Sequence, residues 1–124
     1  MIAWGTAHTV HVYNKTPVRS DLKVRASKLS NEILEFLADR RRGEPPSPQP
    51  QTWERDIEQG MRYDRETMNQ YSVKFAARAQ ATAVELQDVG LGDESFRLMC
   101  EHPTNPLGIE AVGQRLGEYA ERLP

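Results

Sequence analysis

Cys100, Glu101 and His102 place a thiol, a carboxylate and an imidazole side by side. A nucleophilic pair needs the base within hydrogen-bond reach of the thiol and a third group that orients the base. Residues one or two apart on a helix do not face each other. We therefore expect Cys100 to be a small core residue and His102 to cap a helix end, so no catalytic residue is predicted.

His8 and His11 are the other candidate ligands, for a metal ion. If they lie in a strand, a spacing of three residues puts them on opposite faces, and one ion cannot readily bind both. The pattern of Asp and Glu residues predicts carboxylates on solvent-exposed faces. The sequence contains neither a glycine-rich phosphate-binding loop nor a hydrolase motif. We expect no enzyme activity, no metal site and no cofactor.

The chain has 124 residues, which suits one domain, and a formal net charge of −2. Residues 1–43 carry +4 and residues 44–124 carry −6. The halves either attract each other in the fold or leave a basic surface for a partner or for peripheral membrane contact. A single cysteine fits a reducing compartment, and no apolar run is long enough for a signal peptide or a membrane span. We expect a cytoplasmic protein.

Residues 1–19 differ in composition from the rest of the chain. The β-branched and aromatic run 9–13 predicts a short strand, yet no second strand is evident to pair with it. Three interpretations stay open: an N-terminal arm lying on the helices, pairing with another copy of the chain, or disorder.

The first predicted helix spans 21–42, with Ser20 as its N-cap and Gly43 at its end. Its apolar residues step by three and four, as one helix face requires. They are Leu22, Ala26, Leu29, Ile33 and Phe36.

Arg40, Arg41 and Arg42 occupy the last turn of this helix, where positive charge suits the helix dipole. With the basic residues of 15–28 they could contact phosphates. A nucleic-acid binder usually adds stacking aromatics or a recognition helix, and neither is evident. The alternative function is therefore a cytoplasmic regulatory or nucleic-acid-contacting protein that uses the basic N-terminal third of the chain.

Residues 43–51 form a proline-rich connector, which predicts an extended and rather stiff segment. A ligand for proline-binding domains is the competing interpretation.

The stretch 66–89 should supply the helix face around which the others pack, and Gly90 and Gly92 end it. Thr52 can cap a helix that begins at Trp53, so 53–89 is predicted as one long helix with an irregularity at Gly60, or as two segments bent near 60–64. Its apolar stripe starts at Trp53, Ile57 and Met61.

The last third predicts a short helix near 94–101, capped by Asp93, and a final helix over 106–122 that starts after Asn105. Gly113 and Gly117 permit close approach of a neighbouring helix. The expected core includes Phe36, Phe75, Leu86 and Leu116.

Four segments carry a resemblance to a family. They are Ser20 to Phe36, Phe75 to Asp93, and the two runs EHPTNPLGIE and RLGEYAERL near the C-terminus. Over roughly residues 20–123 the chain resembles uncharacterised bacterial helical domains of unknown function. The resemblance implies no activity and no catalytic residues. In such proteins the domain can follow membrane segments on the cytoplasmic side, a position that the basic stretch 15–28 would suit.

The predicted fold is all-α: residues 20–124 form a small antiparallel bundle of three main helices and one short helix, preceded by the arm 1–19. The predicted function is a non-catalytic protein–protein interaction module that forms a homodimer or binds another protein. The candidate interaction residues are Trp53, Ile57, Met61, Arg40, Arg41 and Arg42.

Overall fold

The computed structural model describes the backbone of residues 2–124 and the side chains of residues 21–124. This part of the chain is helical and contains no strand, so the all-α prediction is confirmed. The α-helices are α1 (Ile2–Arg42), α2 (Trp53–Lys74), α3 (Ala76–Asp88), α4 (Glu94–Glu101) and α5 (Pro106–Arg122), with a short 3-10 turn at Pro50–Thr52.

Helix α1 begins at Ile2, not after Ser20 as predicted. The strand predicted at 9–13 is wrong because the backbone there is helical. A single strand has no neighbour for its N–H and C=O groups, whereas a helix pairs them within the segment. The predicted placement of His8 and His11 on opposite faces requires a strand and does not apply to this helical backbone, and their side chains lie outside those described.

Helices α1 and α5 run antiparallel and approach closely at the glycines of α5. A Cβ atom built on Gly113 would lie 2.9 Å from Leu34 Cδ2, and one built on Gly117 would lie 2.9 Å from Ser30 Oγ. The Ser30 hydroxyl donates a hydrogen bond of 2.6 Å to the Gly113 carbonyl. The prediction that these glycines admit a neighbouring helix is confirmed, and that neighbour is α1.

The predicted helix over 53–89 is divided at Phe75, not at Gly60. Phe75 has φ −128° and ψ −29°. The helical hydrogen-bond pattern nevertheless continues on both sides of it, because Phe75 N donates to the Tyr71 carbonyl and Ala79 N donates to the Phe75 carbonyl, each at 2.8 Å. The Phe75 ring packs on Phe36 with centroids 5.4 Å apart. Gly60 lowers helix propensity, but the helix continues through it, so the predicted irregularity there is wrong.

The C-terminus of α3 and the N-termini of α4 and α5 lie where the glycines and capping residues of the sequence predict them. Gly90 and Gly92 adopt φ of 85° and 83° after α3, the left-handed conformation that glycine accepts without strain. Asp93 Oδ1 accepts from Phe96 N at 2.8 Å at the start of α4. Asn105 Oδ1 accepts from Gly108 N at 2.9 Å at the start of α5. The predicted bounds 94–101 and 106–122 are confirmed.

One core joins all five helices. The predicted core residues Phe36, Phe75, Leu86 and Leu116 are buried in a single apolar cluster. The cluster extends along α1 from Leu22 and takes Phe96 and Cys100 from α4 and Ile109, Val112 and Leu116 from α5. The prediction of three main helices with one short helix is corrected to five helices, because the long central stretch is two helices that meet at Phe75.

Candidate interaction surface

The N-terminal half of α2 extends beyond the end of α1. Helix α1 runs antiparallel to the successive helices α2 and α3, since Arg25 of α1 pairs with Glu85 of α3 at 2.5 Å, while Arg40, near the end of α1, donates to Thr67 Oγ1 of α2 at 2.9 Å. Residues 53–62 therefore lie past Arg42, over about 15 Å at 1.5 Å per residue. We call residues 43–62, the connector and this half of α2, the protruding hairpin.

The protruding hairpin contributes no residue to the apolar core. Within it, Asp56 is the one buried residue. The most buried side chain of the hairpin is therefore a carboxylate and not an apolar group.

Asp56 fastens the connector to α2. Its Oδ2 atom accepts a hydrogen bond of 3.1 Å from the Gln49 backbone N–H and another from the Thr52 hydroxyl. These two donors hold the pKa of the Asp56 carboxyl below its usual value. Helix α2 starts at Trp53 as predicted, but the Thr52 side chain binds Asp56 and makes no cap hydrogen bond to the backbone.

The predicted residues Trp53, Ile57 and Met61 lie together on α2. Trp53 is 55% exposed, Met61 is 59% exposed and Ile57 is half-buried. Steps of three and four residues connect this face with Tyr71, which is buried in the core. The helix face that packs in the core at Tyr71 therefore continues past the bundle into solvent, with the charged residue Asp64 between the apolar residues Met61 and Met68.

An open groove of about 330 Å³ separates the connector from this half of α2. Its lining on the connector side includes Pro45, Pro46, Ser47 and Pro48. The helix contributes Ile57, Gly60, Met61, Tyr63 and the Asp56 and Asp64 carboxylates. The connector thus covers only part of the apolar stripe.

Arg40 joins α1 to α2 and is not a free cation. Besides its bond to Thr67, it donates to the Tyr63 carbonyl at 3.3 Å, and its guanidinium lies 4.5 Å from the centre of the Tyr63 ring. A carboxylate oxygen of Glu66 is 3.8 Å away. This arginine therefore connects the end of α1 to the part of α2 that directly follows the protruding hairpin.

The neighbouring arginines have different partners. Arg41 pairs with Glu110 of α5 at 2.5 Å, and Arg42 pairs with Asp39 of its own helix at 3.2 Å. Farther along α1, Lys23 donates to the Leu123 carbonyl at 2.9 Å. The three arginines predicted as interaction residues therefore each pair with a different carboxylate.

Cys100 is fully buried, which confirms its predicted place in the core. Burial raises the pKa of its thiol to about 12. Its carbonyl accepts a hydrogen bond of 2.5 Å from the Tyr71 hydroxyl, whereas the His102 side chain is exposed. The thiol and the imidazole thus occupy different environments, the first in the core and the second at the surface.

Among residues 21–124, no three His, Cys, Asp or Glu side chains cluster in a way that could hold a metal ion. Over the part of the chain that the structure describes, no helix is both long and apolar enough to cross a membrane.

No family model, curated protein or solved structure matches the chain. The resemblance to uncharacterised bacterial helical domains stays a prediction.

The docking of the connector onto Asp56 was missed by sequence reasoning. The available signal is the placement of Thr52 and Asp56 one helical turn apart, directly after a proline-rich segment. A carboxylate in a first turn is common because it suits the helix dipole, so this pattern alone did not indicate a tertiary contact.

Proposed function

We propose that the protein is a non-catalytic helical interaction module that self-associates through the exposed stripe Trp53, Ile57 and Met61. The observation that supports this proposal is the continuation of the α2 core stripe beyond the bundle, where no helix covers it. Trp53 and Met61 are more than half exposed there. Aromatic residues and methionine are enriched at the centres of protein interfaces.

A second copy of the chain is the occupant that this surface favours. Trp53 and Met61 each lie four residues from Ile57, on opposite sides of it. Such a stripe can face its own copy across a twofold axis, and twofold dimers are the commonest oligomers of soluble proteins. The surface is therefore suited to self-recognition without a second type of chain.

Nucleic-acid contact by the basic N-terminal third is less well supported. Arg25, Arg40 and Arg41 each approach a carboxylate on a later helix, at 2.5, 3.8 and 2.5 Å. Phosphates would have to displace these carboxylates. The single buried cysteine, Cys100, is compatible with the cytoplasm, which we propose as the location.

Size-exclusion chromatography with light scattering tests the proposal. The wild-type protein should have about twice the 14.1 kDa chain mass. Ile57→Asp places a charge in the middle of the stripe and should give the mass of one chain. Val73→Asp is the matched control, because Val73 lies on the same helix and is 87% exposed; this variant should remain a dimer.

A wild-type protein that stays monomeric at high micromolar concentration would overturn the proposal. A dimer that survives Ile57→Asp would also overturn it, because association would then use another surface. Circular dichroism of both variants establishes that the fold is retained.

A further inference from the structure

We propose that the connector is a docking segment for a second protein, a domain that binds proline-rich chains in an aromatic groove with a carboxylate beside it. The residues that carry the recognition are Arg42, Pro45 and Pro48. None of them belongs to the exposed stripe of α2, so this inference does not depend on self-association.

The first observation is the order of residues where α1 ends. Two residues separate Arg42 from Pro45, and two more separate Pro45 from Pro48. A polyproline-type segment has three residues per turn, so the two prolines lie on the same edge of the segment. Domains that bind the pattern Pro-x-x-Pro receive this edge in an aromatic-lined groove. A basic residue on one side of the prolines pairs with a carboxylate at the end of such a groove and thereby fixes the direction of binding.

The second observation is that the structure leaves the same arginine accessible. Arg40 and Arg41 are engaged by other helices of the chain, α2 and α5. The Arg42 side chain is 80% exposed, and its partner Asp39, at 3.2 Å, is 69% exposed. A pair between two exposed groups contributes little to stability, so a carboxylate of a second protein can replace Asp39 at small cost. Spacing and exposure therefore select the same residue.

The third observation is the accessibility of the connector itself. Residues 44–49 form neither helix nor strand, and Gln49 is extended, with φ −105° and ψ 148°. Pro46 and Pro48 are exposed. Pro45 is half-buried and lines the open groove of about 330 Å³ beside α2, so an aromatic ring of the second protein can reach it from that groove. Both prolines of the pattern are thus accessible.

The fourth observation is that both ends of the segment are fixed. At its start, Gly43 N donates to the Arg40 carbonyl at 3.0 Å. At its end, Gln49 N donates to Asp56 Oδ2 at 3.1 Å. A proline-rich segment that is already extended and anchored loses less conformational entropy on binding than a free chain. The protein therefore presents the segment outside its core in a form suited to recognition.

Isothermal titration calorimetry of the whole 124-residue chain tests the proposal. The probes are purified Pro-x-x-Pro-binding domains of two kinds, which prefer a basic residue before the prolines or after them. Domains of the first kind should bind. Domains of the second kind should bind about tenfold more weakly, because the residues after Pro48 are Gln49, Pro50 and Gln51 and offer no charge to their carboxylate.

Two pairs of variants identify the residues that bind. Arg42→Gln should weaken binding about tenfold, because it removes the charged donor. Arg62→Gln is the matched control, since this side chain is 64% exposed and also pairs within its own helix; it should bind as wild type does. Pro48→Ala should weaken binding about tenfold by withdrawing ring methylenes from the aromatic groove, whereas Pro46→Ala, at an exposed proline outside the pattern, should weaken it less.

Equal binding by the two arginine variants, or by the two proline variants, would overturn the proposal. Absence of binding to every domain of the first kind at high micromolar concentration would overturn it as well. Circular dichroism of each variant verifies that the helices are retained. Failure of the proposed self-association would be seen separately, as a wild-type protein of monomeric mass in light scattering.

Discussion

At the scale of single residues, Asp56 has the most specific role. It is the one buried position of the protruding hairpin, and its two hydrogen-bond donors belong to the connector and the 3-10 turn. Charged acceptors make stronger hydrogen bonds than neutral ones, so the ionised carboxylate should hold the connector better than an amide would.

The pH dependence of stability should reveal this role. The pKa of Asp56 is lower in the folded chain than its ordinary value, about 3.9 in the unfolded chain. Its contribution is therefore fully present well above pH 3.9 and is lost as the pH falls through the lower folded pKa. Urea unfolding should show Asp56→Asn less stable than wild type at pH 7, with the difference shrinking in strong acid. A difference that is independent of pH would contradict the assignment.

The Cys100 thiol should be inert in the folded protein. It has no exposed surface and its pKa is raised to about 12, so little reactive thiolate exists at pH 8. Labelling with iodoacetamide, followed by mass spectrometry, should be slow in buffer and rapid in denaturing urea. Equal rates in the two conditions would contradict a buried structural cysteine.

At the scale of the helices, the α1–α5 contact depends on the absence of a side chain at Gly113. A methyl group there would lie 2.9 Å from Leu34 Cδ2 and 3.2 Å from Ile33 Cγ2. Either the Leu34 side chain would have to shift or the helices would have to move apart, and overpacking of this kind costs about 1–3 kcal/mol. Close packing at this position thus outweighs the helix propensity that alanine would add.

Gly113→Ala should consequently lower the free energy of unfolding, measured by urea denaturation at fixed protein concentration. Gly60→Ala is the matched control, since it adds the same propensity to a helix where nothing lies within 4 Å of the new methyl group. It should stabilise the chain by about 0.5–1 kcal/mol. Stabilisation by both substitutions would show that the two helices are not in tight contact at Gly113.

At the scale of the whole molecule, the opposite charges of the two halves meet across the fold. Residues 1–43 carry +4 and residues 44–124 carry −6. Arg25 pairs with Glu85 and Arg41 pairs with Glu110. These ion pairs support attraction between the halves, which was one of the two interpretations of the charge pattern.

Those contacts should contribute only modestly, because exposed ion pairs are screened by water and salt. Arg41→Gln should reduce the free energy of unfolding by at most about 1 kcal/mol at low salt. Arg42→Gln, whose partner Asp39 belongs to the same helix, should have a smaller effect. In 1 M NaCl the difference between the two variants should vanish; a difference that persists would indicate that Arg41 acts through packing.

Much of the local structure could be predicted from the sequence because its causes are local. Asp93 and Asn105 cap helices by accepting hydrogen bonds from backbone N–H groups three residues ahead. Gly90 and Gly92 take left-handed conformations that other residues avoid. The burial of Phe75 and Leu116 follows from helical periodicity, which needs no knowledge of the neighbouring helix.

Other features depend on contacts between distant residues, and only the tertiary structure decided them. Phe75 interrupts the central helix and packs on Phe36. Asp56 binds the connector, which the sequence predicted only as an extended spacer. The partner of Arg41 is Glu110, a residue 69 positions away. Periodicity and capping describe one segment at a time, so they cannot specify which surfaces meet. The exposure of Trp53 follows from that geometry, because helix α1 ends before it can cover the first turns of α2.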